Sequence, residues 1–265
     1  MAGDPGLFGP GSVTWRVNGE SVLLAGGGRA LLLQVAHPSV AAGVEQHSSY
    51  DTDPWGRLIR TLDVVTKITF GDSEASARAA RRLGAAHTKV RGIRGDGVAY
   101  DAADPDLLLW VWATLVDSAV VVYTRCVRPL PVDDLERYYA EQTRFAAACG
   151  VPAGHTPEDY AAFVAYWDDM VDRVLRVTDE ALHVSRAVTA PAAPLPLRPA
   201  FELVNLLTAG LLPPSVREQY GLPWGANRER LLAGSTGTIR RLLPLLPALV
   251  RRFPPARAAE RRVKE

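Results

Sequence analysis

Residues 107–124, LLLWVWATLVDSAVVVYT, constrain the fold more than any other part of this sequence. The stretch is apolar nearly all round and carries one formal charge, Asp117. A run of this length either crosses a bilayer or forms the central helix of a protein core. An aspartate at mid-bilayer costs about 2.5–3.5 kcal/mol, so a buried core helix over 105–125, and no integral membrane span, is the expectation. The 265 residues of the chain are ample to build a core around it.

Proline and glycine divide the rest of the chain. Residues 1–20 are rich in both and read as irregular. An apolar run opens after Gly26-Gly27-Gly28 and continues to Gln46, with Pro38 inside it, so a helix there kinks or restarts with Pro38 in its first turn. Residues 57–70 read as a helix between Pro54 and Gly71, and 73–92 as a second, capped by Ser73 and ended by Gly92. Gly92, Gly95 and Gly97 make a loop with Asp96 and Asp101. Further helices are expected over 132–149, 157–188 (one or two), 200–212 and 226–250. The segment 190–199, with four prolines, is the expected hinge, and 251–265 is a basic tail of net charge +4. No strand alternation and no repeat is visible. The chain reads as all-α, a single-domain helical bundle of roughly eight or more helices.

Composition removes several function classes. Thirty basic residues against 29 acidic give a formal charge of +1, which argues against a nucleic-acid binder. Two cysteines, Cys126 and Cys149, exclude a disulfide scaffold and a cysteine-based zinc site. The start of the chain lacks the charged and apolar regions of a signal peptide, so a cytoplasmic protein is expected. No nucleophile elbow, H-E-x-x-H or calcium loop is present.

Two patterns point to chemistry. At 100° per residue, Arg57, Arg60, Thr61, Val64, Val65 and Ile68 share an arc of about 140°. Two guanidiniums among β-branched apolar residues require solvent or carboxylates, either protein ones (Glu45, Asp51, Asp53) or those of a ligand. His87 lies on the apolar face of an alanine-rich helix with Ala80, Leu83, Val90 and Arg91, where a buried imidazole needs partners for both nitrogens. A core histidine satisfied by the protein and a metal or haem ligand both fit. Gly26-Gly27-Gly28-Arg29 reads as a turn before a core helix, because it lacks the spacing of a phosphate-binding fingerprint. Asp168, Asp169 and Asp172 with Arg173 and Arg176 read as a solvated helix face. Trp110, Trp112, Phe70 and Tyr100 suit core or pocket. A non-haem metal site drawn from His37, His47, His87 and Glu45 stays open at this point, as does a helical scaffold without cofactor.

The stretches GGGRALLLQVAHPSVAAGVEQHS, DPWGRLIRTLDVVTKITFGD and AAHTKVRGI, the following GDGVAYDAADPDLLLWVWATLVDS, and LLPPSVREQYGLPW together resemble the bacterial family related to the latex-clearing protein, a rubber oxygenase. A fungal oxygenase of mycophenolic acid biosynthesis belongs to the same superfamily. The resemblance spans roughly residues 13–230 and implies an all-α fold around a pocket for non-covalent haem b. It implies that His87, of H-x-x-x-R, is the axial iron ligand, with Arg91 beside it. It places Arg57, Arg60 and Thr61, of R-x-x-[KR]-T, on the distal or propionate side. It implies dioxygen and a small apolar substrate, the alternative being a haem- or small-molecule-binding protein without turnover. Three departures stand out. Arg60 occupies the position of a lysine able to ligate iron, and a protonated guanidinium has no lone pair to give, so the expected iron is five-coordinate or water-ligated. Ala41 occupies the family's catalytic glutamate spacing, and Glu45 can substitute only if both lie on one helix. The expected cytoplasmic location makes rubber an improbable substrate.

Overall fold

The protein, examined as a computed structural model, is described over residues 3–48, 53–189 and 198–265. Over these residues it is 72% helical, with fourteen α-helices and one small hairpin. The expected hinge falls mostly at 190–197, outside the described residues.

The central helix is α6 in the order α1 (Val13–Asn18), α2 (Gly27–Val35), α3 (Pro38–His47), α4 (Pro54–Phe70), α5 (Ser73–His87), α6 (Pro105–Cys126). Asp104 caps α6 by accepting the Asp106 N–H at 2.8 Å, and Pro105 fills the first turn. Trp110, Trp112, Ala113 and Val116 of α6 are buried in the main core. Although α6 is long and apolar enough to cross a membrane, most of it is covered by other helices. Asp117 is matched by Arg29 of α2, with Nη2 2.6 Å from Oδ2. Arg29 also donates to the Leu211 carbonyl (2.6 Å) and the Ser118 hydroxyl (2.7 Å), and lies over the Trp167 ring. The glycines before it serve packing. A Cβ on Gly26 would stand 2.9 Å from the Val122 side chain, and one on Gly28 2.5 Å from the Thr208 hydroxyl. Pro38 restarts the chain as a new helix, whose cap is the His37 ring accepting the Ser39 N–H at 3.2 Å.

Beyond α6 come α7 (Val132–Ala148), α8 (Tyr160–Asp169), α9 (Asp179–Thr189), α10 (Arg198–Gly210), α11 (Pro214–Gln219) and α12 (Ala226–Leu242). The stretch 157–188 is thus two helices, parted by a π-turn at Met170–Val174. Asp169 and Arg173 form the expected surface pair at 3.1 Å. A second, smaller core joins Val122 and Cys126 of α6 to Leu207, Leu211 and Leu232.

Three expectations are corrected. The irregular reading of 1–20 misses α1, which Ser12 caps and whose first N–H groups, of Val13 and Thr14, reach the Glu141 carboxylate at 3.1 and 2.7 Å. So short a helix is stable only because tertiary partners satisfy its ends. The helix expected over 73–92 stops at His87, and its cap is Asp72, not Ser73. The chain then forms an antiparallel hairpin of β1 (Arg91–Ile93) and β2 (Ala99–Asp101), turning at Gly97 with φ +86°. Three-residue strands are too short to display alternation. Gln46 holds the hairpin against α3, donating to the Ile93 carbonyl and accepting from the Tyr100 hydroxyl.

The third correction is the helix expected over 226–250, which stops at Leu242, because Pro244 and Pro247 break it into a 3-10 turn and the short α13 (Ala248–Arg251). The basic tail that follows forms α14 (Pro254–Lys264), docked with α13 on the N-terminal segment. Glu20, 4% exposed, accepts two bonds of 2.9 Å from the Arg251 guanidinium. Arg262 donates to the Asp4 and Phe70 carbonyls, each at 2.9 Å. Glu20→Ala leaves Arg251 without its carboxylate and is expected to cost about 2 kcal/mol. Limited proteolysis should then cut within 251–265, and unchanged resistance would contradict this anchoring role.

Candidate active site

Helices α4 and α5 form a hairpin joined at Gly71 and Asp72. Counted from that turn at 1.5 Å per residue, Arg57 and His87 both lie about 20 Å along their helices. Arg57 and His87 therefore both lie towards the open end of the hairpin. His87 is half-buried, and burial holds its imidazole below the usual histidine range. Among the described residues neither ring nitrogen has a hydrogen-bond partner. The ring is neutral near pH 7, the state in which imidazole can ligate a metal.

The arginines divide. Arg60 is exposed and meets Asp53 at 3.0 Å, and this guanidinium is the main reason the Asp53 carboxyl is held below its ordinary range. The same carboxylate caps α4 through the Gly56 N–H at 2.9 Å. Arg57 is half-buried. Burial and the neighbouring Arg60 charge lower its basicity, and no carboxylate among the described residues pairs with it. Asp51, one sequence-level partner, lies outside the described residues. An unmatched, partly desolvated guanidinium suits an anionic group. Thr61 is exposed, and its hydroxyl donates to the Arg57 carbonyl at 3.0 Å, a bond within the helix.

Arg91 is not on the helical face of His87. It belongs to β1, where its guanidinium donates to the Thr88 carbonyl at 2.8 Å and stands 3.6 Å from Asp101. Through that bond to Thr88, the residue after His87, it still places positive charge at the C-terminal end of α5. Ala41 and Glu45 do lie on one helix, α3. Ala41 is buried, and Glu45 is 3.5 Å from His183 Nδ1. No group of three or more histidine, cysteine or carboxylate side chains among the described residues is placed to hold a metal. The four-residue non-haem site is therefore not assembled there. Trp110, Trp112 and Phe70 are core residues.

In the sequence His37 enters only as one member of the possible non-haem metal set. An open recess of about 510 Å³ lies between α3, the hairpin and the start of α6, lined by Ser39, Arg91, Tyr100, Asp101, Asp104 and Leu107. His37 is next to Ser39 and senses Arg94 and Asp104. Burial is the main cause that lowers its ring to about 4. A folded value below the ordinary 6.5 means that the unfolded chain takes the proton first. Stability is full above pH 6.5 and is lost as pH falls towards 4, by about 3 kcal/mol. His37→Asn keeps a capping acceptor and removes this titration. Urea denaturation across that range should show the flatter profile in the variant, and identical profiles would refute the assignment. The signal was present in the sequence as a histidine followed by proline at a helix start.

Comparison with known proteins places this chain in a family. Residues 15–241 match the family model described as "ER-bound oxygenase mpaB/B'/Rubber oxygenase, catalytic domain". Two mycobacterial relatives are similar to the chain, the uncharacterized protein Mb2261 of Mycobacterium bovis and the uncharacterized protein Rv2237 of Mycobacterium tuberculosis. Each is 28% identical over 223 residues, covering 82% of this chain and 87% of the relative. No solved structure gives a significant match.

Proposed function

Because the chain belongs to the family of the ER-bound and rubber oxygenase catalytic domains, we propose that it is a haem-b-dependent oxygenase acting on a small apolar substrate with dioxygen. The observation that carries the reading is the presence, towards the same end of the α4–α5 hairpin, of a neutral imidazole with no partner among the described residues and of a half-buried guanidinium with no carboxylate among them. Those are the two donor types that a haem needs, one for iron and one for a propionate. When bound, haem supplies an iron centre for dioxygen chemistry.

In this reading His87 would hold the iron, its desolvated surroundings favouring the unprotonated ring. Arg57 would neutralise a propionate, and Arg91 would add positive charge beyond the end of α5. A guanidinium has no lone pair to give iron, so Arg60 would act as a hydrogen-bond donor to dioxygen, with Thr61 one residue on. Glu45 is the carboxylate nearest in sequence to the Ala41 position and supplies the proton acceptor.

The test is absorption spectroscopy of the protein expressed with haem, wild type beside His87→Ala and Arg57→Ala. A stoichiometric Soret band is expected in the wild type, lost or shifted with His87→Ala. Haem affinity should fall with Arg57→Ala by about tenfold, the value of one charge-assisted bond. A folded wild type without a Soret band would overturn the haem assignment. A band unaffected by His87→Ala would overturn the ligand. Oxygen uptake with reductant and apolar candidates then separates an oxygenase from a carrier without turnover.

A further inference from the structure

Between Glu229 and Glu260 there is no acidic residue, and the thirty intervening positions carry six arginines. The middle of this segment is the end of α12, the 3-10 turn Leu243–Leu245 and α13. Here the chain turns only Leu243 inward. Leu242, Leu246 and Val250 are exposed, Leu245 is 76% exposed and Leu249 68%. Pro244 and Pro247 hold them outward by breaking the helix between α12 and α13. Leu24, on the 3-10 turn Ser21–Gly26 that packs against α13, is exposed as well. Large leucines clustered on a surface without a covering element mark an interaction site.

Charge selects the occupant. Arg240 and Arg241 precede the leucines, are exposed, and have no ion-pair partner among the described residues. Arg228 and Arg230 stand further back on the exposed part of α12. A second copy meeting this face two-fold would bring the same unpaired arginines together and be repelled. An anionic surface with an apolar layer beneath it complements both features. We propose that residues 239–250 dock this protein on an anionic phospholipid bilayer. The leucines enter the acyl boundary, and Arg240 and Arg241 meet the phosphates. The chain lies on the membrane without spanning it, and the docking needs no haem.

Flotation of the full chain with vesicles tests this, using phosphatidylcholine alone and phosphatidylcholine mixed with phosphatidylglycerol. The protein is expected to float with the mixed vesicles only, and to be released by raised salt. Each arginine near an anionic surface is worth about fivefold in partition, so Arg240→Gln with Arg241→Gln should weaken binding by about 25-fold. Leu245→Asp with Leu249→Asp should weaken it more than tenfold, by the loss of apolar insertion. All four side chains are exposed, so unchanged circular dichroism and melting should accompany these losses. No flotation with anionic vesicles would overturn the proposal. So would flotation that survives both double variants. A concentration-dependent dimer lost in Leu245→Asp with Leu249→Asp, without vesicle binding, would reassign the face to self-association.

Discussion

Asp117→Ala is expected to destabilise the protein by about 3–5 kcal/mol, because it strands a charge in the interior. Arg29 is only 4% exposed at its side chain and has no other carboxylate among the described residues. Its remaining bonds, to the Leu211 carbonyl and the Ser118 hydroxyl, satisfy donors without neutralising charge. A guanidinium cannot escape by losing its proton. The opposite variant behaves differently. Arg29→Met leaves a carboxyl that burial already pushes up, so Asp117 neutralises itself by protonation. Its folded value is raised, so this variant should regain stability as pH falls through it, whereas Asp117→Ala should not. Arg29→Met combined with Asp117→Leu removes both charges and should recover most of the loss. Urea midpoints at neutral and mildly acid pH distinguish the three. A loss below about 1 kcal/mol for Asp117→Ala would show that water reaches the pair and that the charge is not desolvated.

Trp112→Ala is the second large effect, at about 3–5 kcal/mol. The ring is 1% exposed and packs against Tyr139 and Phe163, with centroids 5.9 and 5.8 Å away. Its indole N–H donates to the Gln142 carbonyl at 3.0 Å, which ties α6 to α7. Truncation removes both the apolar contact and the donor. Trp112→Phe keeps most of the ring and should cost less than half as much. Ile59→Ala, on a residue 63% exposed, provides the contrast and should change stability by less than about 0.5 kcal/mol. Chemical denaturation followed by far-ultraviolet circular dichroism measures all three. A Trp112→Ala protein as stable as Ile59→Ala would mean that the aromatic cluster is not the mechanical centre of the fold.

Much of the candidate site was legible without coordinates. The α4 face follows from 3.6-residue periodicity, and Pro54 and Gly71 bound it as expected. His87 follows from its place among alanines and from the family motif. The fate of the arginines was not legible. Arg60 finds Asp53, seven residues away, which caps the same helix, whereas Arg57, one turn earlier, has no such partner among the described residues. That difference depends on side-chain reach in three dimensions and not on spacing. Arg91 shows the same limit. The H-x-x-x-R spacing is that of one helical turn, but Thr88 ends the helix and the glycines draw Arg91 into a hairpin that α3 stabilises.

The sequence by itself determined the all-helical class, the central position of residues 105–126, the restart at Pro38 and the family. These are local properties, set by hydrophobic period, by proline's missing donor and by short motifs within single elements. Only the tertiary structure decided which distant groups meet. Arg29 and Asp117 are 88 positions apart, Glu20 and Arg251 are 231 apart, and Glu141 reaches α1 over more than 120. Such pairings are fixed by how helices stack when apolar faces are buried together, and the polar groups carried along must find partners wherever that packing leaves them.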